Sequence, residues 1–144
     1  FNNPVGERYP FTSPANGIWG PKVMIANESA GSGGDMLPYM FKQQRVGTLV
    51  GTRTSGAGVW LSDQNRLVDN GLARAAETGQ FVPGDGWIVE GKGVTPDVVV
   101  DNLPVATFKG EDAQLEAAIR ILEQKLAEKP VPKVEVPAYP KLKR

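Results

Sequence analysis

The feature that most limits the fold is the run KVMIANESAGSGGDMLPYMFKQ, residues 22–43. Val23, Met24, Ile25 and Ala26 follow one another with no polar alternation, the pattern of a short strand covered on both faces, as in parallel sheets. Gly31, Gly33 and Gly34 then surround Ser32 and break the run into a tight turn. Beyond it Met36, Leu37, Met40 and Phe41 recur at helical spacing, with Pro38 tolerated in a first turn and Gly47 suited to the stop. A strand that ends in such a turn and restarts as a helix exposes the turn side chain at the carboxyl edge of a sheet, beside the unpaired N–H groups of the helix start. Ser32 is therefore a candidate nucleophile, and the Gly33 amide a candidate oxyanion donor. Two plainer explanations stand beside this one. Glycine and serine are ordinary turn residues, and a bound phosphate would suit the same turn, although the lysine of a Walker loop is missing.

The rest of the chain extends an α/β pattern. TLVGT, 48–52, reads as a second buried strand and GVWL, 58–61, as a third, with a Gly-broken loop between them. Between 66 and 100, RLVD, LARAA, QFV, WIVE and DVVV are short strand candidates, separated by turn signals at DNG, PGDG and GKG. Residues 112–128 form the clearest helix, with Leu115, Ala118, Ile119, Leu122 and Leu126 on one face, Asp112 as N-cap, and Glu116 paired with Arg120 at i, i+4. Pro4, Pro10, Pro14 and Pro21 make residues 1–21 an extended lead-in. Pro130, Pro132, Pro137 and Pro140, followed by Lys141, Lys143 and Arg144, make 130–144 an extended basic tail. Residues 22–129 are left as the core portion.

Composition narrows the chemistry. Sixteen basic residues balance 16 acidic ones, so no global field draws nucleic acid or anionic lipid. There is no cysteine, which excludes disulfide scaffolds and thiolate metal sites, and no cofactor is expected. Histidine is absent as well, which removes the usual general base and the commonest metal ligand from whatever this chain does alone. No apolar run approaches the roughly 20 residues of a membrane span. Because the chain begins at Phe1 and not at methionine, a fragment is expected, with any targeting sequence elsewhere.

The wider spacing carries a family resemblance. PKVMIANESAGSGGDMLPYMFKQQRVGTLVGTRTSGAG resembles the central block of the tail-specific and tricorn-type serine peptidases: a buried strand, an N-x-x-[S/A]-[A/G]-S turn, an acidic residue three places after the nucleophile, then a helix and a V-G-[E/T]-x-T-x-G segment. Asn27, Ser32, Asp35, Val50, Gly51, Thr52, Thr54 and Gly56 fill those positions. GWIVEGKGVTPDVVV resembles the family's W-x-[I/V]-E-x-x-G-[V/I]-x-P-D segment, and GEDAQLEAAIRIL its closing helix.

The resemblance implies a crotonase-like α/β catalytic domain, or part of one, with a buried, mainly parallel sheet and flanking helices. It implies peptide-bond hydrolysis through an acyl-enzyme, with Ser32 as nucleophile. Tail-specific members carry a lysine base at the position held here by Ala57, so the Ser–Lys dyad is absent, and Lys22, Lys42, Lys92 and Lys109 are not placed to replace it. Tricorn-type members use a histidine from a preceding subdomain, supported through another serine by a glutamate, whose position is that of Glu90. The likeness is therefore to the tricorn branch, with the histidine brought by an upstream segment or a second chain. Tricorn relatives form rings, which implies a homo-oligomer, and tricorn implies the cytoplasm; a periplasmic or secreted location fits the composition equally. In tricorn an acidic residue favours basic substrate side chains, but the equivalent region, near Asn2 and Asn3, is neutral. Trp19, Trp87 and Phe81 are candidates to line a peptide groove or to sit in the core. Asp35 is explained by the helix dipole, and Ser29 and Ser55 by turns. The alternative is a noncatalytic ligand- or peptide-binding member of the same fold.

Overall fold

A computed structural model describes residues 1–2 and 10–138. Asn3, Pro4 and the end of the tail, with Pro140, Lys141, Lys143 and Arg144, lie outside the described residues.

The expected strand, turn and helix are present as β1 (Val23–Ala26) and α1 (Gly33–Gln43), joined through Ser32. β2 (Thr48–Gly51) returns parallel to β1, with Val23 opposite Thr48 and Ala26 opposite Gly51. Leu49 and Val50 of β2 are wholly buried, as an uninterrupted apolar run in a central strand should be, and burying each contributes about 2 kcal/mol. Among the described residues β1 has a strand neighbour on one side only, so it is not covered throughout, and Ile25 remains 41% exposed.

The third sheet strand is not GVWL. That segment supplies only β3 (Trp60–Leu61), exposed and antiparallel to β4 (Ala76–Thr78). Gly56, at φ 80°, turns the chain out of the sheet, and Glu90 then holds the amides of Gly58 and Val59. β5 (Phe81–Val82) and β6 (Gly86–Trp87) form a separate hairpin, and β7 (Val98–Val99) completes a parallel sheet of order β1-β2-β7. Asp97 docks β7: its amide donates to the Leu49 carbonyl at 2.8 Å, and its carboxylate accepts from the Leu49 amide at 2.9 Å. RLVD contributes a single bridge, Arg66 to Leu72, and of LARAA only Ala76 lies in a strand. Ile88 and Val89 of WIVE enter the core with Ala26, Leu49 and Val94, but as part of a turn.

α1 departs from expectation at both Pro38 and its end. Pro38 lies beyond the first turn, so no proline amide is there to meet the Gly34 carbonyl. The helix ends at Gln43, and beyond its cap Arg45, with φ 50°, allows Val46 to donate to Phe41 and Arg45 to Lys42, a Schellman arrangement. Gly47 serves the sheet and not the helix end, because a Cβ there would collide with the Lys22 carbonyl as β2 approaches β1. A short helix α2 (Pro104–Phe108), with proline at its start, precedes α3 (Ala113–Glu128). Asp112 caps α3 by accepting from the Leu115 amide at 2.9 Å. The stripe that α3 turns inward is Gln114, Ala117 and Ala118, while Leu115 and Ile119 stay 48% and 45% exposed. Small residues allow α3 to lie close over β1 and β2. The Glu116–Arg120 pair forms on the outer face at 3.6 Å.

Candidate active site

Ser32 occupies the corner between β1 and α1 with φ 56° and ψ −112°, a conformation that costs a residue bearing a Cβ about 1–3 kcal/mol. Serine at a helix start ordinarily turns its hydroxyl back to cap the first turn. Here it makes no such bond, and the residue is exposed. The corner is fixed through the backbone instead. Ser29 donates its amide to Asn27 Oδ1 at 3.1 Å, Ala30 accepts from the Ser55 amide at 2.9 Å, and Ser32 donates to the Ala57 carbonyl at 3.1 Å.

Gly33 begins α1, and its amide has no partner among the described residues. A Cβ on Gly33 would meet nothing within 4 Å, so the space on the side-chain side of this residue is open. An exposed hydroxyl and an unpaired N–H at a helix N-terminus thus adjoin at one corner, the pair needed to attack a carbonyl and hold the resulting oxyanion.

Glu90 is drawn to the same loop. Its Oε2 accepts from the Gly58 amide at 2.7 Å and the Val59 amide at 2.8 Å. The Ala57 carbonyl that receives Ser32 and the Gly58 amide that reaches Glu90 belong to one peptide group. Ser32 N and Glu90 Oε2 therefore lie no more than about 8 Å apart. Val89, immediately before Glu90, is buried with φ 65°, a strained state for a β-branched residue. Strain at Ser32 and beside Glu90 brackets the loop between them.

Asp35 is wholly buried, unlike a residue acting only on a helix dipole from the surface. It accepts from Gly56 and Ala57 amides at 2.9 Å each and from Ser55 Oγ at 3.4 Å. Burial opposes its charge, but the bonds from Thr54, Gly56, Ala57 and Ser32 outweigh that and hold the carboxyl below its ordinary value. Thr54, also wholly buried, accepts from the Val94 amide at 2.7 Å. Reading the sequence for catalytic groups passes over both residues; the acid three places after the turn serine and the T-x-G spacing were the only signals.

The remaining candidates separate clearly. Ala57, at the position of the expected lysine, is exposed and lies beside Gly31. Lys42 is engaged with Asp97 at 2.9 Å, and Lys92 donates to the Trp87 carbonyl at 2.9 Å. Glu28 and Thr52 bond reciprocally at the outer lip; the Thr52 hydroxyl, and then the Glu28 amide, hold that carboxyl below its usual value. Trp19 stacks near Phe1 at 5.0 Å, and Phe81 meets Trp87 edge-on at 5.7 Å; all four are exposed. Trp87, Val59, Thr78, Gln80 and Glu90 line a cleft of about 370 Å³. Asn2 is exposed.

Comparison with known proteins identifies the family and the fold. Residues 5–100 match the model of Peptidase family S41. The tricorn protease of Thermoplasma volcanium is 42% identical over 124 residues, 86% of this chain and 12% of that protein. Tricorn protease homolog 1 of Streptomyces coelicolor is 38% identical over 84% of this chain and 11% of its own length. A crystal structure of the tricorn protease superposes with a TM-score of 0.71 at 31% identity, covering 85% of this chain and 13% of that one. A mutant form of CPAF, at 24% identity and TM-score 0.60, shares the fold, covering 81% of this chain and 22% of that one. This chain thus spans only about an eighth of the length of its tricorn relatives, and within that span the family match covers β1, α1, β2 and the Glu90 turn. The chain belongs to Peptidase family S41.

Proposed function

We propose that this chain carries the nucleophile of a serine peptidase and that its base comes from elsewhere. The observation supporting this most strongly is the pairing of an uncapped, exposed Ser32 hydroxyl with the unpartnered Gly33 amide, tied through one peptide group to Glu90. Ser32 Oγ attacks the substrate carbonyl carbon while its proton passes to a histidine outside this sequence, which itself contains none. The carbonyl oxygen takes the negative charge and accepts from Gly33 N–H. Collapse breaks the C–N bond, the histidine returns its proton to the leaving amine, and water then hydrolyses the Ser32 ester by the same steps.

Glu90 stabilises and orients the charged histidine through that segment's own serine, as the tricorn likeness suggests. Two amides hold the Glu90 carboxylate in place from behind. Residues 22–129 form the catalytic portion, 1–21 a lead-in and 130–144 a tail, and the active assembly is a homo-oligomer acting on peptides. The cleft beside Glu90 is where the histidine-bearing segment docks.

The test is fluorophosphonate labelling of the full-length protein followed by peptide mapping. Modification at Ser32, and loss of about 10⁴-fold or more in kcat on Ser32→Ala, is expected. Labelling at another residue overturns the assignment. The 144-residue chain alone is expected to be inactive until the histidine-bearing segment is added.

A further inference from the structure

Among the described residues Asp35 is the only charged side chain that is buried, and no lysine or arginine pairs with it. The reaction scheme gives it no part. Its hydrogen-bond partners instead come from consecutive residues of one loop, Ser55 Oγ and the Gly56 and Ala57 amides, with the buried Thr54 immediately before them. A carboxylate suits this position because it presents only acceptors, about four lone-pair sites, to converging donors. The same loop continues into the peptide group shared by Ser32 and Glu90. A second tie crosses at Gly56, whose amide meets Asp35 and whose carbonyl accepts from Gly91, the residue after Glu90, at 2.9 Å. No side chain fits at Gly56, since a Cβ would stand 2.7 Å from the Gly93 amide and 3.1 Å from the Val89 carbonyl. Thr54 extends the network beyond that turn: its amide donates to the Val94 carbonyl at 3.2 Å, and its hydroxyl accepts from the Val94 amide at 2.7 Å. Neither a helix dipole nor general packing calls for a buried anion surrounded by one loop's donors; setting the shape of that loop does.

We propose that Asp35 is a positioning residue for the reaction at Ser32: it fixes the Thr54–Val59 loop so that the Ala57–Gly58 peptide group sets the Ser32 corner against the Glu90 turn. This rests on the peptidase reading above. Asp35 touches no reacting atom; its carboxylate acts through the loop and the Ser32 backbone.

The test compares full-length wild-type protein with Asp35→Asn, Thr54→Val and Thr54→Ser, using a fluorophosphonate probe for Ser32, hydrolysis of a fluorogenic peptide, and thermal melting. Asp35→Asn turns an acceptor into a donor facing backbone amides. It is expected to slow Ser32 labelling and kcat by about 30-fold while KM stays within about threefold and the protein remains folded. Thr54→Val should slow labelling about fivefold, and Thr54→Ser, which keeps the hydroxyl, should restore it to within about twofold of wild type. Should Asp35→Asn fail to fold, the Thr54 pair decides: a slow valine and a fast serine variant support the proposal, and equal rates overturn it. Activity lost only in proportion to the unfolded fraction also overturns it. Wild-type labelling away from Ser32 removes the peptidase reading and this proposal together, whereas normal Ser32 labelling in every variant removes the proposal alone.

Discussion

Lys42 and Asp97 close on each other at 2.9 Å, and the same ammonium donates to the Thr95 carbonyl at 2.7 Å. The lysine near the end of α1 is thereby committed to the sheet, about 15 Å of helix away from Ser32. Lys42→Met should lower stability by about 1 kcal/mol, a figure kept small because the two side chains are 32% and 40% solvent-exposed. Denaturant unfolding measures the loss. Ser32 labelling by fluorophosphonate should be unchanged, and a parallel drop in labelling would mean that Lys42 reaches the site after all.

Glu90→Gln separates the carboxylate's charge from its shape. The amide oxygen of glutamine can still accept from Gly58 and Val59, so the melting temperature should move by no more than about 2 °C. Peptide hydrolysis by the full-length protein should nonetheless fall by about tenfold or more, because a neutral side chain no longer stabilises a charged histidine. Unaltered kcat would reduce Glu90 to a backbone fastener.

Ala57 stands where the tail-specific likeness expects a lysine, and it lies 3.7 Å from the position of a Cβ built on Gly31. Ala57→Lys, added to Glu90→Gln, brings an amine to the flank of Ser32 within the chain itself. Labelling of Ser32 at pH 9 should rise by about tenfold over the Glu90→Gln parent, since a neutral lysine removes the hydroxyl proton without any histidine. No rise would show that the flank of Ala57 does not face the hydroxyl.

Much of this was readable before any coordinates. β1, the Gly-rich corner, α1 and β2 follow from apolar runs and helical spacing, because each is decided by a few neighbouring residues. The third sheet strand was not readable in the same way. GVWL and DVVV are both strand candidates, but Asp97 bonding to both polar groups of Leu49 decides that the second joins the sheet, and that contact is far apart in sequence. The inward stripe of α3 misled for a related reason: Leu115 and Ile119 look like core until α3 is seen resting on alanines. At the site, Ser32, Gly33 and Glu90 were nameable from spacing and resemblance. The buried role of Asp35 was hidden, because an acid in a first helical turn has a sufficient local explanation.

Acid should loosen the sheet and the site together. Burial works against the charge of Asp35 and of Asp97, but is outweighed at Asp35 by Thr54, Gly56, Ala57 and Ser32, and at Asp97 by Leu49 and then Lys42. Both therefore titrate lower when folded than unfolded. The stability they contribute is complete above the unfolded value near about 4 and disappears as pH falls through the lower folded values. Melting temperature should be level from pH 7 to about 5 and decline below about 4, less steeply in Asp97→Asn. A melting temperature indifferent to pH across that range would contradict the assignment.

Gly51 meets the carbonyl of Ala26 so closely that a Cβ has no room there. The seam between β1 and β2 is consequently rigid at the end from which Ser32 emerges. Attempts to reshape the Ser32 corner by loosening that seam will meet collapse before they meet a new geometry. Useful freedom lies instead in the side chains of the outward rim, where the Glu28 carboxylate and the Thr52 hydroxyl bond each other at the surface.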